Sequence, residues 1–145
     1  MPAESPIADV AHVIQLSVAP VFLLTSVGTI LGVLSTRLGR IVDRARVLAD
    51  RLETAQGDKR DDYLGELEQL ARRRHLVNMA IAFGVGAALL VAGVIAAAFL
   101  GFMLHWKASA AIAALFVGAM LCVVVALLLL MREVMTAVLK VRPPR

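Results

Sequence analysis

The stretch LVNMAIAFGVGAALLVAGVIAAAFLGFML, residues 76–104, decides the fold. It contains no charged side chain. A helix of about 20 apolar residues crosses the ~30 Å hydrocarbon core of a bilayer, so this stretch is long enough to span it and to tilt or protrude. Two more uncharged stretches flank it, at 10–34 and 108–131. Hydrophobic residues make up 60% of the chain. A soluble domain of this length cannot bury that much apolar surface, so the excess must face lipid or partner subunits. The apolar mass is Ala, Val, Leu, Ile and Gly with few aromatics, which suits closely packed membrane helices.

The cations set the orientation. Ten of the fifteen Lys and Arg residues fall within 37–74, and four more (Arg132, Lys140, Arg142, Arg145) follow the third stretch. Lys107 alone occupies the turn between the second and third stretches, and the amino-terminal segment has none. By the positive-inside rule, 36–75 and the carboxyl tail face the cytoplasm. The amino terminus and the His105-Trp106-Lys107 turn face outward, with Trp106 at an interface. The first stretch has neither the basic start nor the small-residue cleavage pattern of a signal peptide. The net charge of +4 reflects this topology bias, not nucleic-acid binding. The basic tail can touch anionic headgroups. Cys122, the single cysteine, reads as a small buried hydrophobe.

Between the first two stretches lies the only sizeable polar region. Leu38, Ile41, Ala45, Leu48 and Leu52 alternate spacings of three and four, the apolar seam of a coiled coil. Charged residues fill the other faces, with Asp43–Arg46 and Arg46–Asp50 at helical-neighbour spacing. Gln56-Gly57-Asp58 signals a turn. A second amphipathic run, with Leu64, Leu67, Leu70 and Ala71 as its apolar face, then leads through Arg72-Arg73-Arg74 into the second stretch. The pattern predicts an antiparallel helical hairpin whose first arm of about 20 residues reaches about 30 Å. Running backwards through Leu34, Ile30, Val27, Leu23, Pro20 and Leu16, the seam continues into the first stretch, with Pro20 as a kink candidate. Whether span and arm form one helix stays open.

Opposite that seam runs a polar stripe: Gln15, Thr25, Thr29, Gly32 and Thr36, continuing to Asp43 and Asp50. Lipid offers such groups no partner, so the stripe points to helix packing or to the wall of a water-filled pore. Thr hydroxyls bonding back to their own helix would weaken both readings. Small residues four apart mark further packing faces: Gly28 and Gly32; Gly93, Ala97 and Gly101; Ala110, Ala114, Gly118 and Cys122.

Chemistry-bearing constellations are missing from the sequence. His12, His75 and His105 lie in different segments without ligand-spaced partners, which speaks against a metal site. No phosphate-binding loop, dinucleotide turn or nucleophile elbow occurs. None of the three stretches has a charge at its middle, unlike ion-coupled transporters. The reading is therefore non-enzymatic, with no cofactor. The densest charge cluster is Arg37, Arg40, Asp43, Arg44 and Arg46, read either as a solvated start to the hairpin or as a site at the cytoplasmic mouth where arginines pin Asp43. Arg72-Arg73-Arg74 reads as a topology anchor that could lie alongside.

Two runs carry a family likeness: Ile14-Gln15-Leu16-Ser17-Val18-Ala19-Pro20-Val21-Phe22-Leu23-Leu24 and Arg37-Leu38-Gly39-Arg40-Ile41-Val42-Asp43-Arg44-Ala45-Arg46. Together they resemble the bacterial family called domain of unknown function 2721. The likeness covers the first helix, the hairpin and the three-helix layout. It implies a small bacterial integral membrane protein and carries no catalytic residues with it.

The expectation is one all-α membrane domain over 1–145. Its parts are an outer segment 1–12, spans 13–35, 76–104 and 108–131, a cytoplasmic coiled-coil hairpin 36–75 and a basic cytoplasmic tail 132–145. It would reside in the bacterial inner membrane as a homo-oligomer, in contact with lipid and with a cytoplasmic protein partner of the hairpin. The leading function is structural or interaction-based. The alternative is an oligomeric pore lined by the stripe of the first span.

Overall fold

The computed structural model describes the backbone of residues 6–104 and 109–138. The expected His105-Trp106-Lys107 turn, most of the basic tail, and the side chains of His12 and Leu16 lie outside the described residues. Those described form three helices: α1 (Pro6–Thr54), α2 (Asp58–Met103) and α3 (Ser109–Val138). All three are long and apolar enough to cross a membrane, and by that length and composition the chain is a multi-pass membrane protein. The first span and the first hairpin arm are one uninterrupted helix, because nothing between Leu34 and Leu38 breaks the backbone ladder.

α1 and α2 are joined by a three-residue turn. Gly57 takes φ +61°, the left-handed conformation that costs other L-residues about 1 kcal/mol or more. Its carbonyl accepts the Arg60 N–H at 2.9 Å, closing the first turn of α2. Asp58 and Asp61 in that first turn, and Arg51 in the last turn of α1, complement the two helix dipoles.

Burial repeats every seven residues along each helix. On α1 the buried positions are Pro20, Val27, Leu34, Ile41 and Leu48. On α2 they are Leu70, Val77, Gly84 and Val91, with Ala80, Ala87 and Val94 three residues after a member of that set. On α3 they are Ala119, Ala126 and Glu133. A seven-residue repeat keeps one stripe of each helix turned inward. The remaining large apolar side chains point outward, among them Phe22 at 70% exposure and Leu89 at 69%. That is the distribution expected of a surface that meets hydrocarbon rather than water.

The chain divides into two compact units. The first combines Met1–Ile30 with Gly84–Val124. There the small residues of α2 and α3 are used inside the chain: a Cβ on Gly93 would lie 3.8 Å from the Leu115 side chain, and one on Gly118 would lie 3.5 Å from Leu90. The second unit combines Leu31–Phe83 with Val125–Arg145. Its buried residues are Leu34, Ile41, Leu48, Leu70, Val77, Ala80 and Ala126, together with the carboxylate-bearing Glu133.

Three expectations for the hairpin need correction. Leu64 is 46% exposed and Ala71 is exposed, so they are not the apolar face of the second arm. Stepping back seven from Leu70 reaches Tyr63, which is half-buried, and the inward stripe takes that phase instead. Neither Asp43–Arg46 nor Arg46–Asp50 is closed. The four ion pairs among the described residues are Arg37–Glu133, Arg44–Glu66, Arg72–Glu68 and Arg73–Glu133. An exposed pair at such spacing gains only a few tenths of a kcal/mol, so leaving one open costs little.

Replacing Gly57 by Ala should destabilise the hairpin turn by about 1 kcal/mol, and Asn, which tolerates the left-handed region, should recover part of the loss. Hydrogen exchange of the α1–α2 turn in lipid nanodiscs checks this. Unchanged protection in the Ala variant would contradict it.

Candidate functional site

Three positions on three helices should be apolar by the seven-residue repeat and are charged instead. Arg37 falls three residues after Leu34, where Ile30 follows Val27 one repeat earlier. Arg73 falls three after Leu70, where Ala80 follows Val77 one repeat later. Glu133 falls seven after Ala126. All three lie in the second unit and meet there. Arg37 Nη1 donates to Glu133 Oε2 at 2.7 Å, and Arg73 Nη2 donates to Glu133 Oε1 at 2.7 Å. Each carboxylate oxygen thus receives one charge-assisted bond at the short end of the range.

The carboxylate carries the burial. The Glu133 side chain is 1% exposed, while Arg37 keeps 39% and Arg73 32% of theirs. Stripping water from a carboxylate costs several kcal/mol, which two opposed guanidinium groups at contact distance can offset. In sequence the three residues mark one level. Arg37 comes just after the first uncharged stretch, Arg73 just before the second and Glu133 just after the third.

Beside this triad opens a cleft of about 490 Å³. Arg37, Arg40 and Arg44 of α1, Arg73 of α2 and Glu133 of α3 line its polar side. Ile41 and Leu70 contribute apolar lining. Arg44 is held by Glu66 across the hairpin, its Nη2 2.8 Å and its Nε 2.9 Å from the same carboxylate oxygen. Arg40 has no ion-pair partner among the described residues. Arg73 also retains a buried Nε–H that meets no acceptor.

The expected charge cluster is therefore split. Arg37, Arg40 and Arg44 share one face of α1 and converge on the cleft, whereas Asp43 and Arg46 are exposed and do not line it. The arginines pin Glu133 and Glu66, not Asp43. Of the Arg72-Arg73-Arg74 triplet, Arg73 turns inward to the triad, Arg72 pairs with Glu68 one helical turn away, and Arg74 is exposed. Glu133 was missed by sequence reading because it follows the third stretch and looks like the start of a tail. Two signals pointed to it: it continues the small-residue phase of Ala119 and Ala126, and it is the only acidic residue after Glu68.

Of the polar stripe, Thr36 lines the cleft, and Gln15, Thr25, Thr29 and Gly32 do not. Gln15, Thr25, Thr29, Gly32 and Thr36 are all exposed on the single chain. Thr25 Oγ1 donates to the Val21 carbonyl at 3.2 Å, Thr29 to Thr25 at 3.1 Å and Thr36 to Gly32 at 3.0 Å. A Cβ on Gly28 or Gly32 would meet nothing within 4 Å. No cluster of metal-ligating side chains occurs among the described residues.

A three-helix, membrane-crossing chain with an ionic layer at the polar ends of its spans is the class that fold and site define. Within that class the chain belongs to the family described as "Protein of unknown function (DUF2721)", which matches residues 17–142. No curated protein and no solved structure matches it.

Truncating Glu133 to Ala should cost about 3 kcal/mol, the low end for breaking a buried ion pair because both arginines keep some solvent. The triple change Arg37→Met, Arg73→Met, Glu133→Leu should recover most of that loss, since apolar groups of similar volume need no desolvation. Equilibrium unfolding in mixed micelles reads both. A triple variant as unstable as Glu133→Ala would show that the ionic layer itself holds the helices.

Proposed function

We propose that the protein is a non-enzymatic membrane scaffold that self-assembles through the exposed face of α1 and presents the α1–α2 hairpin to a cytoplasmic protein partner. In this reading the amino terminus is outside and the hairpin and carboxyl terminus are cytoplasmic, which the Lys and Arg distribution supports. The hairpin is a short coiled coil, its seam built on Ile41, Leu48 and Leu70, with charged side chains on its outer faces.

One observation carries the assembly. The face of α1 turned away from the chain's own core combines open glycines at 28 and 32 with threonines whose hydroxyl protons are already spent on their own helix. Such a face lets another helix backbone approach closely without leaving a donor unpaired. These bonds satisfy the hydroxyl donors within α1, so the threonines demand neither an inter-helix hydrogen bond nor a water-filled pore, and it is the open glycines that favour close packing. Gly93 of α2 and Gly118 of α3 already have neighbours within the chain, whereas Gly65 and Gly86 of α2 are open but carry no paired threonine stripe beside them.

Cysteine scanning in a Cys122→Ala background tests this. Cysteine at Gly32 or Thr29 should give a disulfide-linked dimer on mild oxidation in membranes. Cysteine at Leu89 or Leu121, outward positions on α2 and α3, should not. Gly32→Leu should insert and fold normally yet shift the native mass to a single chain. Equal cross-linking at all four positions, or none at Gly32 and Thr29, would overturn the reading.

A further inference from the structure

The geometry points to the arginine-lined cleft of the second unit as a binding site for a phosphate group. Four guanidinium groups, those of Arg37, Arg40, Arg44 and Arg73, line it against one carboxylate, Glu133. Counting Glu66, which holds Arg44, two positive charges remain uncompensated. A phosphate monoester brings a charge of about −1.5 to −2 and acceptor oxygens on several sides, and a phosphodiester brings half that charge or more. Either fits the excess.

The donors are available. Arg37 and Arg73 each commit one Nη to Glu133, leaving the other donors of a planar five-donor group. Arg40 commits none among the described residues. Arg73 keeps a second Nη beyond the one given to Glu133 and lines the cleft. Arginine is the side chain whose fork matches phosphate oxygens in pairs. The triad preorganises this array: each Glu133 oxygen is paired with a guanidinium, so the carboxylate fixes two of the arginines in place and its charge is offset rather than left free to repel the ligand.

The phosphate can come from two sources. The triad marks the polar ends of the three uncharged stretches, the depth at which the headgroup of an anionic lipid lies. Ile41 and Leu70 supply apolar surface beside the arginines. A free phosphate reaching the same depth from water offers the same oxygens.

Full-length protein in nanodiscs separates the sources. In the lipid arm, discs contain equal phosphatidylglycerol and phosphatidylcholine, and native mass spectrometry of the released protein counts retained lipid. In the soluble arm, discs contain phosphatidylcholine alone, and inorganic phosphate is titrated at constant ionic strength while thermal unfolding is followed. Selective retention of phosphatidylglycerol assigns a lipid headgroup; saturable stabilisation by phosphate assigns a free anion. In whichever arm binds, Arg40→Ala should weaken binding about tenfold, the effect of losing one charge-assisted hydrogen bond. Arg46→Ala, which removes an equal charge outside the cleft, should leave it unchanged. Absence of saturable binding in both arms, or equal losses from the two variants, would overturn the assignment. The same spectra report subunit number, so failure here is distinct from failure of self-assembly.

Discussion

Glu133 is one carboxylate removed from water and held by two arginines, and the second unit is organised around it. α1 and α2 are adjacent along the chain and joined by a short turn, so their pairing needs little beyond an apolar seam. α3 has no such tie to the hairpin. Its fully buried side chains before Glu133 are Ala119 and Ala126, small groups that specify a register weakly. A charge that must be matched on both oxygens does so. A shift of α3 by one residue would turn Glu133 away from both guanidinium groups and leave three charges without partners, a far larger penalty than any loss of alanine packing.

The constraint explains why the ionic layer lies where it does. Deep in hydrocarbon the layer would have to justify full desolvation of three charges. In open water the pairing would contribute little. At the ends of the apolar stretches the carboxylate is buried while the guanidinium groups still reach solvent. The bond is strong enough to specify an arrangement and the remaining donors stay accessible. The cleft beside it inherits that property, with four arginines positioned by the fold and only two of their charges offset by it.

Much of this was legible in the sequence, for identifiable reasons. Three helices followed from three uncharged stretches, because a bilayer leaves few ways to satisfy a backbone. The convergence of Arg37, Arg40 and Arg44 was visible as charge density. Asp43 and Arg46 belong to the same dense run but do not line the cleft, since neighbours in sequence point to different sides of a helix. Hydropathy does not mark Glu133, which follows the end of the apolar stretch, whereas the buried phase of α3 runs on past Met131. The small-residue faces could not be sorted by spacing alone. Gly93 and Gly118 meet neighbours within the chain, and Gly28 and Gly32 do not, because only the latter fall opposite the seven-residue stripe.

The central claim is that Glu133 bonds Arg37 and Arg73 at once in the folded, membrane-embedded protein. Solid-state NMR on protein in liposomes tests it directly, with ¹³C in the Glu133 carboxylate and ¹⁵N in the arginine guanidinium groups. Dipolar correlations from the Glu133 carboxylate carbon to two guanidinium groups should appear, one lost in Arg37→Lys and the other in Arg73→Lys. A carboxylate that correlates with water alone, or with a guanidinium that survives both substitutions, would contradict the account.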